Sequence, residues 1–160
     1  KQIASRLKAG YNMILFGEGT STDGMRVLPF KSSLLSAAHM KVRKGRGQRD
    51  WVTVQPVTIS CTGLDGMPIG RGLRPFYAWY GDMVFAGHAW QALRLGRITV
   101  QVQFHPPVTI GDVGSRKALA EHCTGVISEG LAASLSGRRG EERRRRFSLP
   151  LKKNKRANPA

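Results

Sequence analysis

The fold prediction starts from residues 11–24, which run YNMILFGEGTSTDG. The first six residues, Tyr11–Phe16, are apolar enough to predict a short strand that is buried on both faces. The residues that follow are rich in Gly, Ser, Thr and Asp, a composition typical of a loop. Predicted helices and strands alternate along the rest of the chain. The sequence therefore predicts the α/β class, with a central mixed sheet flanked by helices.

Helices are predicted on both sides of this stretch. Ile3, Ala4 and Leu7 fall at helical spacing, and Gly10 is placed to end that helix. The other predicted helices cover residues 31–40, 88–95 and 116–133, the last with Ser115 as its N-cap.

Two further strands are predicted, at residues 51–60 and 97–105. The second alternates apolar residues with Thr and Gln, which is typical of a strand with one buried face. Pro56 marks an edge, a bulge or a strand end in the first. Residues 41–49 hold five basic residues and two glycines, so we expect a solvated loop there.

Charge is high and unevenly distributed. The chain has 26 Lys and Arg against 10 Asp and Glu, a formal net charge of +16. Residues 137–160 alone carry ten basic and two acidic residues, which predicts a disordered basic tail after a folded domain at 1–136. Three interpretations of the tail stay open: a merely solvated segment, attraction to anionic lipid, or nucleic-acid binding. The last is disfavoured because no aromatic-basic motif of a known module occurs.

Other sequence features restrict the class of protein. No stretch approaches the roughly 20 apolar residues that a membrane span needs, and no signal peptide is recognised. Cys61 and Cys123 lack metal-ligand spacing, so we expect two reduced thiols, with a disulfide as the alternative. The chain begins with Lys rather than Met, which we take as a sign of a fragment or processed product of a longer protein.

The loop after the first strand is the candidate site. Glu18 is a lone carboxylate between two glycines, and glycines let backbone amides approach an anion closely. Thr20, Ser21 and Thr22 add hydroxyls able to bond a polyol or a phosphate. This composition indicates a site for a small hydroxylated molecule, with an ordinary turn as the alternative.

The sequence Phe16-Gly-Glu-Gly-Thr20, followed by Gly24 and Leu28-Pro-Phe-Lys31, resembles a motif of the 1-acylglycerol-3-phosphate acyltransferase family. The family block runs Phe-Pro-Glu-Gly-Thr-Arg-Ser and is followed by a similar helix entry. Val54-Gln-Pro-Val57 is similar to the later Val-Pro-Val block of that family. The resemblance covers roughly residues 1–60, and it implies a glycerol-3-phosphate acyltransferase-like fold.

Two departures concern the loop. Gly17 stands where the family has Pro, which would loosen the loop. Ser21 stands where the family has an Arg that is implied to hold the acceptor phosphate. Arg26 and Lys31 are the expected substitutes.

The larger departure is the absence of the catalytic His-x4-Asp block, in which the family's histidine deprotonates the acceptor hydroxyl. The four histidines are followed five positions later by Lys44, Leu93, Ile110 and Ile127. We therefore expect an N-terminally incomplete fold, no catalytic residue within this chain, and no activity without an upstream portion. His105 is expected to make a loop hydrogen bond, and His39 to lie at the surface.

The resemblance implies transfer of a fatty acyl group from acyl-CoA or acyl-carrier protein to a lysophosphatidate-like acceptor. The substrate would be bound by Glu18, Gly19, Thr20, Ser21, Arg26 and Lys31, with Pro56 shaping the neighbouring strand. No metal and no cofactor other than the acyl co-substrate is expected. The enzyme would act at the cytoplasmic face of a membrane, with 137–160 facing anionic lipid. The alternative is a non-catalytic module that binds anionic lipid or nucleic acid.

The aromatic cluster at residues 76–80 has two interpretations. Phe76, Tyr77, Trp79 and Tyr80 either line an acyl channel or membrane interface, or form core and rim of the domain. Asp82 nearby would matter catalytically only if a histidine faced it.

Overall fold

The computed structural model describes residues 2–44 and 48–137, without the side chains of residues 44 and 48. The helices are α1 (Gln2–Lys8), α2 (Phe85–Arg94), α3 (Ile110–Val113) and α4 (Arg116–Leu135), with 3₁₀ turns at Leu34–Ala38 and Arg74–Phe76. The strands are β1 (Lys41–Lys44), β2 (Gln48–Trp51), β3 (Val57–Leu64), β4 (Met67–Pro68) and β5 (Ile98–Phe104). The structure combines helices with β-strands, which confirms the α/β class.

The strands form two antiparallel sheets, β1-β2 and β4-β3-β5. The second is the larger, and a register shift between Cys61 and Gly63 interrupts its β3–β5 ladder. Helix α4 packs across one side of this sheet.

Two predicted helix ends are confirmed, and a third helix lies close to its predicted position. Helix α1 is followed by Gly10 with φ of 87°, the left-handed conformation that ends many helices. The Ser115 hydroxyl accepts a hydrogen bond from the Ala118 amide at 3.1 Å and so caps α4. Helix α2 covers the predicted residues and begins slightly earlier, at Phe85.

The helix predicted at 31–40 is shorter in the structure. Only Leu34–Ala38 forms a 3₁₀ turn, with Leu35 and Ala38 buried. The preceding backbone is engaged elsewhere, because the Lys31 amide donates to the Gly17 carbonyl at 2.9 Å. A helix therefore begins only at Leu34, whose amide bonds the Lys31 carbonyl.

The loop predicted at residues 41–49 is wrong where strands β1 and β2 pair. The register places Lys41 opposite Trp51 and Arg43 opposite Arg49. The Lys41 ammonium lies 5.0 Å from the centre of the Trp51 ring. At this distance the ring face attracts the cation, which stabilises the pairing of the two strands. Residues 45–47 lie outside the described part of the chain.

The strand predicted over Trp51–Ser60 begins later, at Val57. Pro56 lies directly before it, which confirms the strand-end interpretation, since proline has no amide to donate within a ladder. Upstream of Pro56, Val54 forms an isolated bridge with Val108.

The strand predicted at Tyr11–Phe16 is wrong. These residues carry no assigned secondary structure, and Ile14 and Phe16 are 88% and 76% exposed. Apolar composition predicted burial, but within the described residues no strand lies alongside to complete a ladder with this segment.

The hydrophobic core lies between α4, α3 and the 3₁₀ turn at Leu34–Ala38. Leu119 is fully buried there, and the partly buried Phe30 and Trp51 pack against the cluster. The buried members are Leu35, Ala38, Val108, Ile110, Leu119, Ala120 and Cys123. None of the helices in the described ranges is both long and apolar enough to cross a membrane.

Candidate functional site

The loop of residues 17–31 is closed at its base by Gly17 and Phe30. Gly17 is buried, and a Cβ atom at that position would overlap the Phe30 ring. The Lys31 amide bonds the Gly17 carbonyl at 2.9 Å, so both ends of the loop meet here. Gly17 was expected to loosen the loop, yet its missing side chain makes room for a ring that tightens the loop base.

Glu18 is a clamp on the loop backbone. Its Oε2 atom accepts a hydrogen bond from the Leu28 amide at 2.8 Å, across ten residues of chain. The residue is only partly exposed, and hydrogen bonds to an ionised carboxylate are stronger than neutral ones. The carboxylate that was predicted to bind the acceptor therefore also fixes the shape of the loop.

Lys31 lies over Gly19. Its Nζ atom is 3.1 Å from the position that a Cβ of residue 19 would occupy. Gly19 has φ of 68°, a left-handed conformation that favours glycine. A larger residue at 19 would thus be strained and would displace the ammonium from the loop. The structure brings together three predicted residues: Glu18, Gly19 and Lys31.

The other predicted loop residues lie farther along and are open to solvent. Thr20, Ser21 and Arg26 are exposed. The Thr22 hydroxyl donates to the Arg26 carbonyl at 3.2 Å, and the Asp23 carboxylate accepts from the Met25 amide at 3.0 Å. These local bonds hold residues 22–26 as a tight turn beside the Glu18 clamp.

One residue that positions the loop was missed in the sequence. The Phe30 amide donates to the Thr124 hydroxyl at 3.1 Å, and that hydroxyl donates to the Ala120 carbonyl at 2.8 Å. Thr124 therefore ties the loop to α4. A threonine within a helix usually returns its hydroxyl to the preceding turn, so the residue type alone gave no signal of a second partner.

Pro56 is buried, and its carbonyl accepts from the His105 amide at 3.0 Å. The hydrogen bonds that the structure gives to Pro56 thus lead to the end of β5 and not to the loop. The predicted role of Pro56 beside a substrate stays a prediction.

His105 is held in a buried pair with Thr58. The Thr58 Oγ1 and His105 Nε2 atoms are 2.8 Å apart, and Thr58 also donates to the Ile127 carbonyl at 3.3 Å. Because the Thr58 hydroxyl proton points to the Ile127 carbonyl, the Thr58 oxygen accepts a hydrogen bond from His105 Nε2–H. The unprotonated Nδ1 atom then accepts from the Gln103 side-chain amide at 3.2 Å. Both ring nitrogens are engaged, as expected for a structural histidine.

The remaining predicted residues are placed as follows. Both cysteines are free thiols, which confirms that expectation, and burial raises the pKa of each. His39 is exposed and its ring lies 5.5 Å from that of Trp51. Asp82 is exposed. In residues 2–44 and 48–137, no three His, Cys, Asp or Glu side chains are grouped closely enough to hold a metal ion.

The aromatic cluster is not core. Phe76 and Trp79 are about half exposed, at 49% and 47%, and Tyr77 and Tyr80 are partly buried. The Trp79 indole donates to the Met83 carbonyl at 2.7 Å and packs edge-on against Phe85.

Chemically, the loop offers the Lys31 ammonium beside Gly19, the Glu18 carboxylate that already accepts one backbone hydrogen bond, and the exposed hydroxyls of Thr20 and Ser21. Such a set can hold a hydroxylated acceptor with a single negative charge. Within the described residues, it includes no histidine positioned to remove a proton from that acceptor. The loop therefore fits substrate positioning rather than proton transfer.

Comparison with known proteins gives close relatives. The chain is 44% identical over 137 residues to a lyso-ornithine lipid O-acyltransferase of Brucella abortus, covering 86% of this chain and 51% of that protein. It is 39% identical over 136 residues to the protein of the same name from Rhizobium meliloti, covering 85% and 46%. The Rhodobacter capsulatus protein of that name is 38% identical over 130 residues, covering 81% and 44%.

The chain thus spans about half the length of the curated relatives it matches. No protein-family model and no solved structure matches it.

Proposed function

We propose that this chain is part of an acyltransferase that transfers a fatty acyl group to a hydroxyl of a lyso-lipid. The carrying observation is the 44% identity over 137 residues to an enzyme named for that reaction. The Glu18 clamp, with Lys31 held over Gly19, supports this role because it fixes the shape of the loop to which we assign acceptor binding.

The acceptor we propose is lyso-ornithine lipid instead of lysophosphatidate. The relatives are named for it, and ornithine carries a carboxylate and an ammonium but no phosphate. Ser21 in place of a phosphate-holding Arg fits such an acceptor. Lys31 would then pair with the carboxylate as a single charge.

The chemistry needs a second part of the enzyme. The acceptor oxygen forms a bond to the thioester carbonyl carbon, the C–S bond breaks, and the hydroxyl proton passes through a general base to the departing thiol. We assign that base to the His-x4-Asp block, which this chain does not contain. The acyl donor would be acyl-CoA or acyl-carrier protein, and the chain alone is expected to be inactive.

We also propose that the enzyme works at the cytoplasmic face of a membrane. The net charge of +16 supports attraction to anionic lipid. Pelleting of the chain with phosphatidylglycerol-containing vesicles should be salt-sensitive and should weaken on deletion of residues 137–160, of which 138–160 lie outside the described part. Equal pelleting of both forms would refute the role of the tail.

The direct test is a chimera in which this chain replaces the matching segment of the Brucella abortus relative. We expect it to acylate lyso-ornithine lipid and to prefer it over lysophosphatidate, with acyl-CoA and acyl-carrier protein tested in parallel. An inactive chimera that is folded and expressed like its active parent would contradict the proposal. If that chimera still bound vesicles, a non-catalytic lipid-binding module would be favoured.

Glu18 gives a sharper prediction in the same chimera. Glu18→Ala removes the acceptor for the Leu28 amide and should lower kcat/KM by roughly tenfold to a hundredfold, as expected for a lost charged hydrogen bond. Glu18→Gln can still accept that bond through its amide oxygen and should keep most of the activity. If both variants lose activity equally, the carboxylate charge acts on the substrate and the clamp is secondary.

A further inference from the structure

The β3–β5 sheet has one face that is apolar and open to solvent. The register pairs Val57 with Phe104, Ile59 with Val102 and Cys61 with Val100, which places these six side chains on the same face. Ile59, Val102 and Phe104 are 61%, 50% and 67% exposed. Charged residues are absent from the six.

The opposite face is polar and covered. There Thr58 pairs with Gln103 and Ser60 with Gln101, and Thr58 and Ser60 are buried. Helix α4 lies directly over them, since a Cβ on Gly130 would be 2.6 Å from the Thr58 hydroxyl oxygen. The sheet thus buries its polar face and exposes its apolar one, the reverse of what a two-layer domain requires.

The sheet also has an open edge and a loose segment. Within the described residues β5 is an edge strand, paired only with β3. Tyr11–Phe16 is a second apolar segment that lies exposed and outside either sheet. Unpaired edges and contiguous apolar surface mark sites where another part of a protein packs.

The observations favour one occupant. The curated relatives contain about as much sequence again as the part that this chain matches. An uncharged face suits a protein layer better than a lipid headgroup surface, which would be matched by basic side chains. We infer that the apolar β3–β5 face is the interface with the part of the acyltransferase that the relatives have and this chain does not match. This inference rests on the proposed function.

The test uses Ile59→Lys/Val102→Lys in two settings: the full 160-residue chain and the Brucella abortus chimera. In the chain alone, both side chains face solvent, so we expect an unchanged helical circular dichroism spectrum and less self-association by light scattering. In the chimera, the same lysines would be buried against the second part without partners. The melting temperature should fall by roughly 5–10 °C there. Leu93→Lys, at a 78% exposed apolar position on α2, is the matched control and should be neutral in both.

Each other outcome overturns the inference. Unfolding of the double variant in the chain alone would show that the face is already buried. An unchanged melting temperature of the double variant in the chimera would show that the second part does not cover the face. If the double variant then lost vesicle binding, the face would be assigned to lipid. If it lost a dimer, the face would be assigned to a second copy of the chain. The readout does not depend on acyl transfer. If the chimera were inactive but its double variant showed the expected fall in melting temperature, the proposed function would be refuted and the interface would still be supported.

Discussion

The two faces of the β3–β5 sheet differ in chemistry and in surroundings. Under α4, the polar face is closed by a specific fit: the Thr58–His105 pair, 2.8 Å apart, fills the space that Gly130 leaves. On the other side, Ile59, Val102 and Phe104 face solvent. Within the described residues, one face is therefore covered and the other is not.

This difference indicates where the stability of the chain comes from. The buried apolar cluster lies around α4 and its neighbours, so removal of side chains there should be costly. The apolar side chains of β3 and β5 contribute little until something covers them, because the hydrophobic effect scales with the area removed from water.

The largest expected effect is in the apolar core around α4. Leu119→Ala removes a fully buried side chain and should lower the free energy of unfolding by about 2–5 kcal/mol. Ile59→Ala, on the bare face, should change it by less than about 0.5 kcal/mol in the chain alone. Urea unfolding of both variants checks this, and similar losses in the two would remove the distinction between the buried core and the bare face.

Next comes the fit beneath α4. A Cβ on Gly130 would lie 2.8 Å from His105 Nε2, so Gly130→Ala should destabilise by about 1–3 kcal/mol through overpacking. Gly125, in the same helix, has nothing within 4 Å of its Cβ position. Gly125→Ala should therefore stabilise by roughly 0.5–1 kcal/mol through helix propensity. Thermal melts of the pair should shift in opposite directions, and a stabilising Gly130→Ala would contradict the packing.

The smallest expected effect is on pH dependence. Burial raises the pKa of the Cys123 thiol in the folded chain. The unfolded chain then releases the thiol proton first, so this contribution to stability is present below about pH 8.5 and is lost as pH rises above it. The fall in unfolding free energy between pH 8 and pH 10 should be smaller in Cys123→Val than in wild type. Identical pH profiles would show that the thiol is not desolvated.

Much of the fold was predictable from local signals. Ser115 marks the start of α4 and Gly10 the end of α1, through side-chain and backbone preferences that act within one helical turn. The alternation of apolar and polar residues in β5 predicted a strand. The sequence could not show which side of that strand would be covered, because burial depends on what packs against it. The strand predicted at Tyr11–Phe16 was wrong for the same reason. Its apolar composition is typical of a buried strand, but burial needs neighbouring elements that the described residues do not include. The pairing of β1 with β2 was missed because the basic residues and glycines of this segment are typical of a solvated loop, and composition does not show which residues will pair.

The contacts within the candidate loop could not be predicted from the sequence. Glycines around Glu18 indicated a loop, and the resemblance indicated what such a loop binds. The bond from the Leu28 amide to Glu18 and the anchor of Phe30 on Thr124 span 10 and 94 positions, distances at which residue patterns carry little information. The assignment of the loop residues to substrate binding, and of Pro56 to the neighbouring strand, stays a prediction.

The contrast between the faces is tested most directly by maleimide labelling of the two thiols, read by peptide mass spectrometry. Cys61 lies on the bare face and is partly exposed, whereas Cys123 is 1% exposed, within the core around α4. In the chain alone we predict that Cys61 labels well before Cys123. In the Brucella abortus chimera defined above, Cys61 should become protected from labelling, and Cys123 should stay protected. Rapid labelling of Cys61 in the folded chimera would contradict the claim that a second part of the enzyme covers this face.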